Sequence, residues 1–519
     1  MRNLKEILFL FPFTIFKKQN KDSITQKYYY YVGRMKYILR QYSSAIAFYT
    51  KAINLNPDYI NAYNYRIIAK DKIKDYKGMI TDYDKVIELN SENAFTYFQR
   101  GIAKYKIKDF TGAILDFTKA IELKPDYAEA YIKRGSVKYE IKDYTGAISD
   151  YDQAIEIKSD YAEAYNNRGV IKYESKNYWN AMKDFDIAIE LKHDYADAYN
   201  NKGLVKNKLK DYLGAIKDFT KAIKLKHDFV YAFNNRGISK FELENYRGAI
   251  KDYNKAIKIM PDFANAYINR GNAKSKVKFH TSEIIICLGF NGIIDAINSK
   301  YCSDAIADYT KALELKPDYA EVYNNRGNMK NKLKDYKGAI TDYEKAIELK
   351  PDYAEAYFNR GNSKWMLSDN LGAITDYTKA IELKPDYAEA YNSRGCVKIS
   401  FNDYFGAIAD YDKAIESNPD YKTAYSNKNY LLWQIKDLAD TFNESGFVNY
   451  NFKNYTGAIA DYDKAIELNP DYAGAYINRG LVKYELEDYT GAIADYNKAI
   501  ELKPDYAEFY NNRGNVKRE

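Results

Sequence analysis

Small apolar residues, aromatics and charges recur along this chain at an interval of 34 residues, and that period organises everything else. The copy Ala128–Tyr161 shows the pattern. Ala130, Tyr131, Arg134, Gly135, Lys138 and Ile141 follow helical spacing, and Lys142-Asp143-Tyr144 reads as a turn. Ala147, Ile148, Tyr151, Ala154, Ile155 and Ile157 then trace the apolar stripe of a second helix. Pro125 stops the preceding helix, because its ring cannot continue one. Asp126 and Glu129 have the spacing of a capping box, which predicts that Asp126 accepts from the first-turn amides of the helix it precedes. With Ala128 as position 1, position 8 is glycine in copy after copy, from Gly33 through Gly203 to Gly514. Positions 20 and 27 are alanine except at Met79 and Val86. Small residues there let two helices approach closely, while tyrosines at 4, 17, 24 and 34 fill the gaps. Such a hairpin cannot bury its stripe alone and is predicted to stack on its neighbours.

The unit resembles the tetratricopeptide repeat: aromatic at 4, Gly at 8, aromatic at 17, Ala at 20, aromatic at 24, Ala at 27 and Pro at 32. The resemblance covers residues 26–519. It implies an all-α fold, a right-handed superhelical solenoid of tetratricopeptide helical hairpins whose concave groove binds other proteins. One departure is systematic. Where the family usually has Leu at 7 and Tyr at 11, this chain carries Arg100, Arg134, Arg168 and Arg236, with Lys104, Lys138, Lys172 and Lys240. Asp116, Asp150, Asp184, Asp218, Asp252, Asp308 and Asp342 recur at position 23. The expectation is that Arg at 7 pairs with this aspartate, within or between copies, and fixes register more than it adds stability.

The period also divides the chain. Residues 1–25 form an apolar N-terminal segment, with Ile7–Phe16 read as a cap or a weak targeting signal. Seven regular units span 26–263, and the unit at 264–319 is stretched by an insertion near 278–300 that carries Ile284–Ile297. Three units follow at 320–421. Residues 422–438 then form an orphan first helix, followed by two units at 439–506 and a partial unit at 507–519. An odd helix cannot join an alternating stack unnoticed. A kink, an unusually long helix or a break is therefore expected near 422–445.

Composition removes most other chemistry. Lys+Arg minus Asp+Glu is 79 − 72 = +7, and the two signs alternate, so the charge reads as a solvated helical surface and no nucleic-acid partner is expected. Cys287, Cys302 and Cys396 make neither a disulfide framework nor a close metal pair. His193 and His227 both replace proline at position 32, and stacked helices hold them roughly 10 Å or more apart, too far for one metal. No cofactor, metal or catalytic residue is assigned, and the chain is read as a non-enzyme. No apolar run is long enough to be a transmembrane segment. The expected location is cytoplasmic, with export left open by the N-terminal segment.

One ladder points to binding. Asn167, Asn201, Asn235, Asn269, Asn325, Asn359, Asn478 and Asn512 occupy position 6, with further asparagines at 5 and 9. Asparagine is a mediocre helix former, and its carboxamide offers both donors and an acceptor to an extended backbone. The resemblance implies that first-helix positions 2, 5, 6, 9, 12 and 13 line the groove and that asparagines there clamp peptide. Copying by duplication under a biased composition explains the ladder equally well. Position 6 is Tyr31, Tyr65, Gln99 and Lys133 in the first copies, so the groove is expected to be best from Asn166 onward. The leading function is a non-catalytic protein-protein interaction scaffold that holds protein or peptide partners. The alternatives are an accessory subunit of a separate enzyme and, behind it, a nucleic-acid-binding solenoid.

Overall fold

The computed structural model describes residues 21–277 and 291–518, and every regular element among them is a helix. The chain divides into two compact units, Met1–Pro261 and Asp262–Glu519. The described part of the first is a run of hairpins from Lys21–Ile38 with Tyr42–Leu55 to Val230–Glu242 with Tyr246–Ile259. The second begins with Ala264–Lys276 against Asn291–Leu315 and closes with the single helix Ala507–Val516.

Local chemistry sets the helix ends. In the copy at 128, the turn between helices closes with Lys142 N–H donating to Tyr139 (2.9 Å) and Asp143 N–H to Lys138 (2.9 Å). Lys142 adopts φ 65°, and the equivalent Lys108, Lys176 and Lys210 do the same. Asp143 then caps the second helix, its Oδ1 accepting from Gly146 N–H at 2.9 Å. The capping box expected at Asp126 does not form. The first helix starts from Tyr127, which makes no side-chain cap bond. Asp126 lies one residue upstream of that cap. Its main-chain carbonyl, not its carboxylate, closes the turn by accepting from Ala128 N–H at 3.0 Å.

The core of each copy is an aromatic side chain from the second helix laid on the glycine of the first. In the copy at 196, Phe219 is fully buried between Ala215 and Ala222, and a Cβ on Gly203 would stand 2.7 Å from its ring. Both irregular stretches become long helices. Asn291–Leu315 is one 25-residue helix, so residues 291–297 of Ile284–Ile297 are helical and 284–290 lie outside the described residues. Lys422–Asn451 is one 30-residue helix, about 45 Å long at 1.5 Å per residue, which fuses the orphan stretch to the first helix of the following copy. Its C-terminal part pairs with Tyr455–Leu468, with Tyr462 laid on Gly446. The apolar segment Ile7–Phe16 lies outside the described residues.

Candidate peptide-binding face

Two side-chain networks run along the first helices, one ionic and one built from carboxamides. The first is ionic. Arg168 Nε and Nη2 grip Asp184 at 2.9 and 2.6 Å, and Lys172 Nζ takes the same carboxylate at 2.7 Å. The pairing lies within one copy, 16 residues apart. The Asp184 side chain is 3% exposed, against 17% for Arg168 and 22% for Lys172. Both cations, four residues apart and repelling in isolation, are held by one buried anion. Arg168 Nη1 reaches further, to Asp152 of the preceding copy at 2.6 Å. The equivalent arm meets Thr118 from Arg134 and Thr220 from Arg236, so these copies too are tied to the one before. The guanidinium pKa of Arg168 is pushed up by its hydrogen bond to Asp184, against the opposing effect of burial. Ten copies carry the Arg-Asp-Lys triad. Where Lys202 replaces arginine it turns to Asp186 at 2.5 Å, and Asp218 keeps Lys206 at 2.7 Å.

The second network is built from carboxamides. Asn201 Nδ2 donates to Asn166 Oδ1 at 3.0 Å, and Asn235 Nδ2 to Asn200 Oδ1 at 3.1 Å. Asn200 Nδ2 donates to Asn201 Oδ1 at 3.4 Å and Asn166 Nδ2 to Asn167 Oδ1 at 3.3 Å. These bonds join into one polarised chain from Asn235 to Asn167 across three copies. Asn359 donates to Asn324 (3.0 Å), Asn478 to Asn443 (3.0 Å) and Asn325 to Asn272 (3.3 Å). Asn201, Asn235, Asn359 and Asn478 are therefore half-buried donors to position 5 of the copy before, whereas Asn325 donates to position 9. The position-5 partners Asn166, Asn200 and Asn324 are buried. Asn427 makes the same bond to Asn392 from the orphan stretch, a member of the series that repeat alignment passed over. Asn269 and Asn512 are half-buried on their own first helices. The position-9 asparagines Asn272, Asn328 and Asn362 accept from the core hydroxyls of Tyr309, Tyr343 and Tyr377, each at 2.8 Å.

Asn167 differs from its counterparts. Position 5 of the preceding copy is Ile132, so Asn167 accepts from Asn166 and spends neither N–H on another side chain. It lines a cavity of about 210 Å³ with Tyr105, Ser136, Tyr139, Glu140, Tyr151 and Val170. Burial, then the Glu174 carboxylate that accepts its hydroxyl, raises the Tyr139 pKa, and burial takes Tyr151 to about 12. Both phenols therefore stay neutral donors at ordinary pH. A second cavity, about 260 Å³, repeats the arrangement two copies earlier, with Gln99 at position 6 and Ile68, Met79, Tyr83 and Ile102 in its walls. The 35-residue spacing of bonded asparagines was present in the sequence and marks the register pairs; nothing periodic marks the cavities. Different outcomes follow for two residues in equivalent positions. Asn201→Ala gives up its donated bond to Asn166 as well as the one it accepts from Asn200 and should cost about 1 kcal/mol or more. Asn167→Ala, which gives up only the 3.3 Å bond it accepts from Asn166, should cost less, measured as denaturant midpoints of the two variants.

Family models described as TPR repeat match residues 135–176, 239–277, 302–332, 327–368, 369–398, 453–487 and 480–517. Others described as Tetratricopeptide repeat match 196–229 and 26–59, 96–127 and 388–421. The chain belongs to the tetratricopeptide-repeat family. No curated protein matches it significantly. Among solved structures it is similar to MamA (27% identity, 32% of this chain and 96% of that one, TM-score 0.29). It is also similar to YrrB, described as a TPR protein with an unusual peptide-binding site (23%, 36% and 95%, TM-score 0.30). Yeast Tom70 matches at 20% identity over 89% of this chain and 95% of its own, with a TM-score of 0.33. The repeats support a protein-interaction scaffold in general terms. Among the described residues, no helix is long and apolar enough to cross a membrane.

Proposed function

We propose that the chain is a non-catalytic scaffold that holds an extended segment of a partner protein along its first helices, anchored in the cavities beside Gln99 and Asn167. The observation that carries this is the pair of like-placed cavities on equivalent positions two copies apart. Two copies are roughly 20 Å at about 10 Å per helix layer. An extended chain rising about 3.3 Å per residue spans that in about six residues, which presents both anchors on one face. The first cavity, walled by Ile67, Ile68, Met79 and Ile102, suits an apolar anchor. The second, with three tyrosines and Glu140, suits a lysine or arginine, which such rings and a carboxylate both attract. Asn167 donates to the segment's backbone, its N–H polarised by the carboxamide chain behind it. Asn201 and Asn235 present their remaining donor and acceptor sites beside it, and Asn269, Asn325, Asn359, Asn478 and Asn512 hold the equivalent position on first helices of the second unit.

A photoreactive amino acid at Gln99 and, separately, at Asn167 tests this reading. Both positions should capture one and the same partner segment, at residues about six apart. Capture of unrelated chains from the two positions, or of nucleic acid, would remove it.

A further inference from the structure

The long helix Lys422–Asn451 contains a seat whose normal occupant is missing, and the other copies describe that occupant. In a complete copy, positions 4, 8 and 11 of the first helix face its own second helix. Tyr131, Gly135 and Lys138 do so at 128–161, with Gly135 buried under the Tyr151 ring. Among the described residues, the stretch Lys422–Leu438 has no second helix of its own; Tyr455–Leu468 serves the half of the long helix that carries Gly446. Counted from Lys422, the same stripe holds Tyr425, Asn429 and Leu432. Tyr425 is 43% and Leu432 44% exposed, while the opposite face packs through the buried Ala424, Leu431 and Ile435. The stripe is also more apolar than in its sisters, because leucine stands where the others place the lysine of the triad. Trp433 and Tyr430, both 60% exposed, stack at 6.1 Å beside it.

Charge completes the description. Lys428 stands at position 7, where Arg100 bridges Asp84 of the preceding copy and Asp116 of its own second helix. Lys428 has the first of these contacts, Asp412 at 2.6 Å, but no second helix to supply the other. An ammonium with three donors has room for one more acid. Lys436 is exposed one turn beyond Leu432. A second copy of this chain would bring the same cations against themselves. We propose that Lys422–Leu438 binds, in trans, an amphipathic helix of another polypeptide that takes the place of the missing second helix. The guest carries an acidic residue for Lys428 and a small residue opposite Asn429, where an aromatic ring has no glycine to lie on.

The test uses the full chain and a lactam-stapled peptide of the Tyr455–Leu468 sequence carrying Tyr462→Ala, followed by fluorescence anisotropy. The peptide should bind, and about tenfold more weakly to Leu432→Asp, an exposed change that leaves the helix content intact by circular dichroism. A peptide that also carries Asp461→Lys should bind less well than its parent. Restoring Tyr462 should weaken binding to the wild-type chain and favour Asn429→Gly, which supplies the missing glycine. The proposal is overturned if the peptide does not bind, if Leu432→Asp binds it equally, or if sedimentation shows that the wild-type chain pairs with itself through Leu432.

Discussion

Asp184→Ala should destabilise its copy by about 3–5 kcal/mol, the cost of stranding partly buried charge. Asp184 neutralises two cations at once, Arg168 at 2.6 Å and Lys172 at 2.7 Å, and neither has another buried anion within reach. Arg168→Met alone should also destabilise, by less, because Lys172 remains on the carboxylate. Replacing all three residues with Met, Met and Leu should return most of the loss, since an apolar set of similar volume carries no desolvation cost. Amide hydrogen exchange over Ala162–Leu191 reads the effect locally, as a stacked array opens unit by unit. A triple variant weaker than Asp184→Ala would show that the triad adds net stability and does not act mainly as a register device.

Phe219→Ala should cost a similar amount, about 3–5 kcal/mol, by emptying the seat between Gly203, Ala215 and Ala222. Gly203→Ala should cost about 1–3 kcal/mol despite alanine's better helix propensity, because its methyl would enter the ring at 2.7 Å. The two sites couple. In a Phe219→Leu background the methyl has room, so Gly203→Ala should cost less there than in the wild-type chain. Additive losses in a double-mutant cycle, read from denaturant midpoints, would mean that the glycine is kept for another reason.

The hairpins, the ring-on-glycine core and the Arg-Asp pairing were legible because each rests on residues repeated at fixed spacing. Arg168 and Asp184 recur together, and a buried cation needs an anion. The cap at Asp126 was misread because its sequence fits a capping box while the helix begins one residue later. Three outcomes stood open at 422–445. The continuous helix follows from the absence of any proline or glycine between Lys422 and Ser445, which leaves nothing to stop it. The asparagine ladder was visible, but its division into register pairs and a free donor was not. Whether Asn201 bonds Asn166 or a guest depends on the offset between neighbouring first helices, which is a property of packing. The cavity at Asn167 lies where position 5 of the preceding copy is Ile132, but Phe98, Ile268, Phe358 and Ile477 hold the same position in other copies, so an apolar residue there does not by itself mark a cavity.

The affinity of the segment captured at Asn167, compared between the wild-type chain and Asn167→Leu, tests the central claim most directly. Loss of one backbone hydrogen bond in a partly closed cavity should weaken binding about three- to tenfold while the unfolding midpoint falls by less than it does in Asn201→Ala. An unchanged dissociation constant would place the partner elsewhere on the molecule.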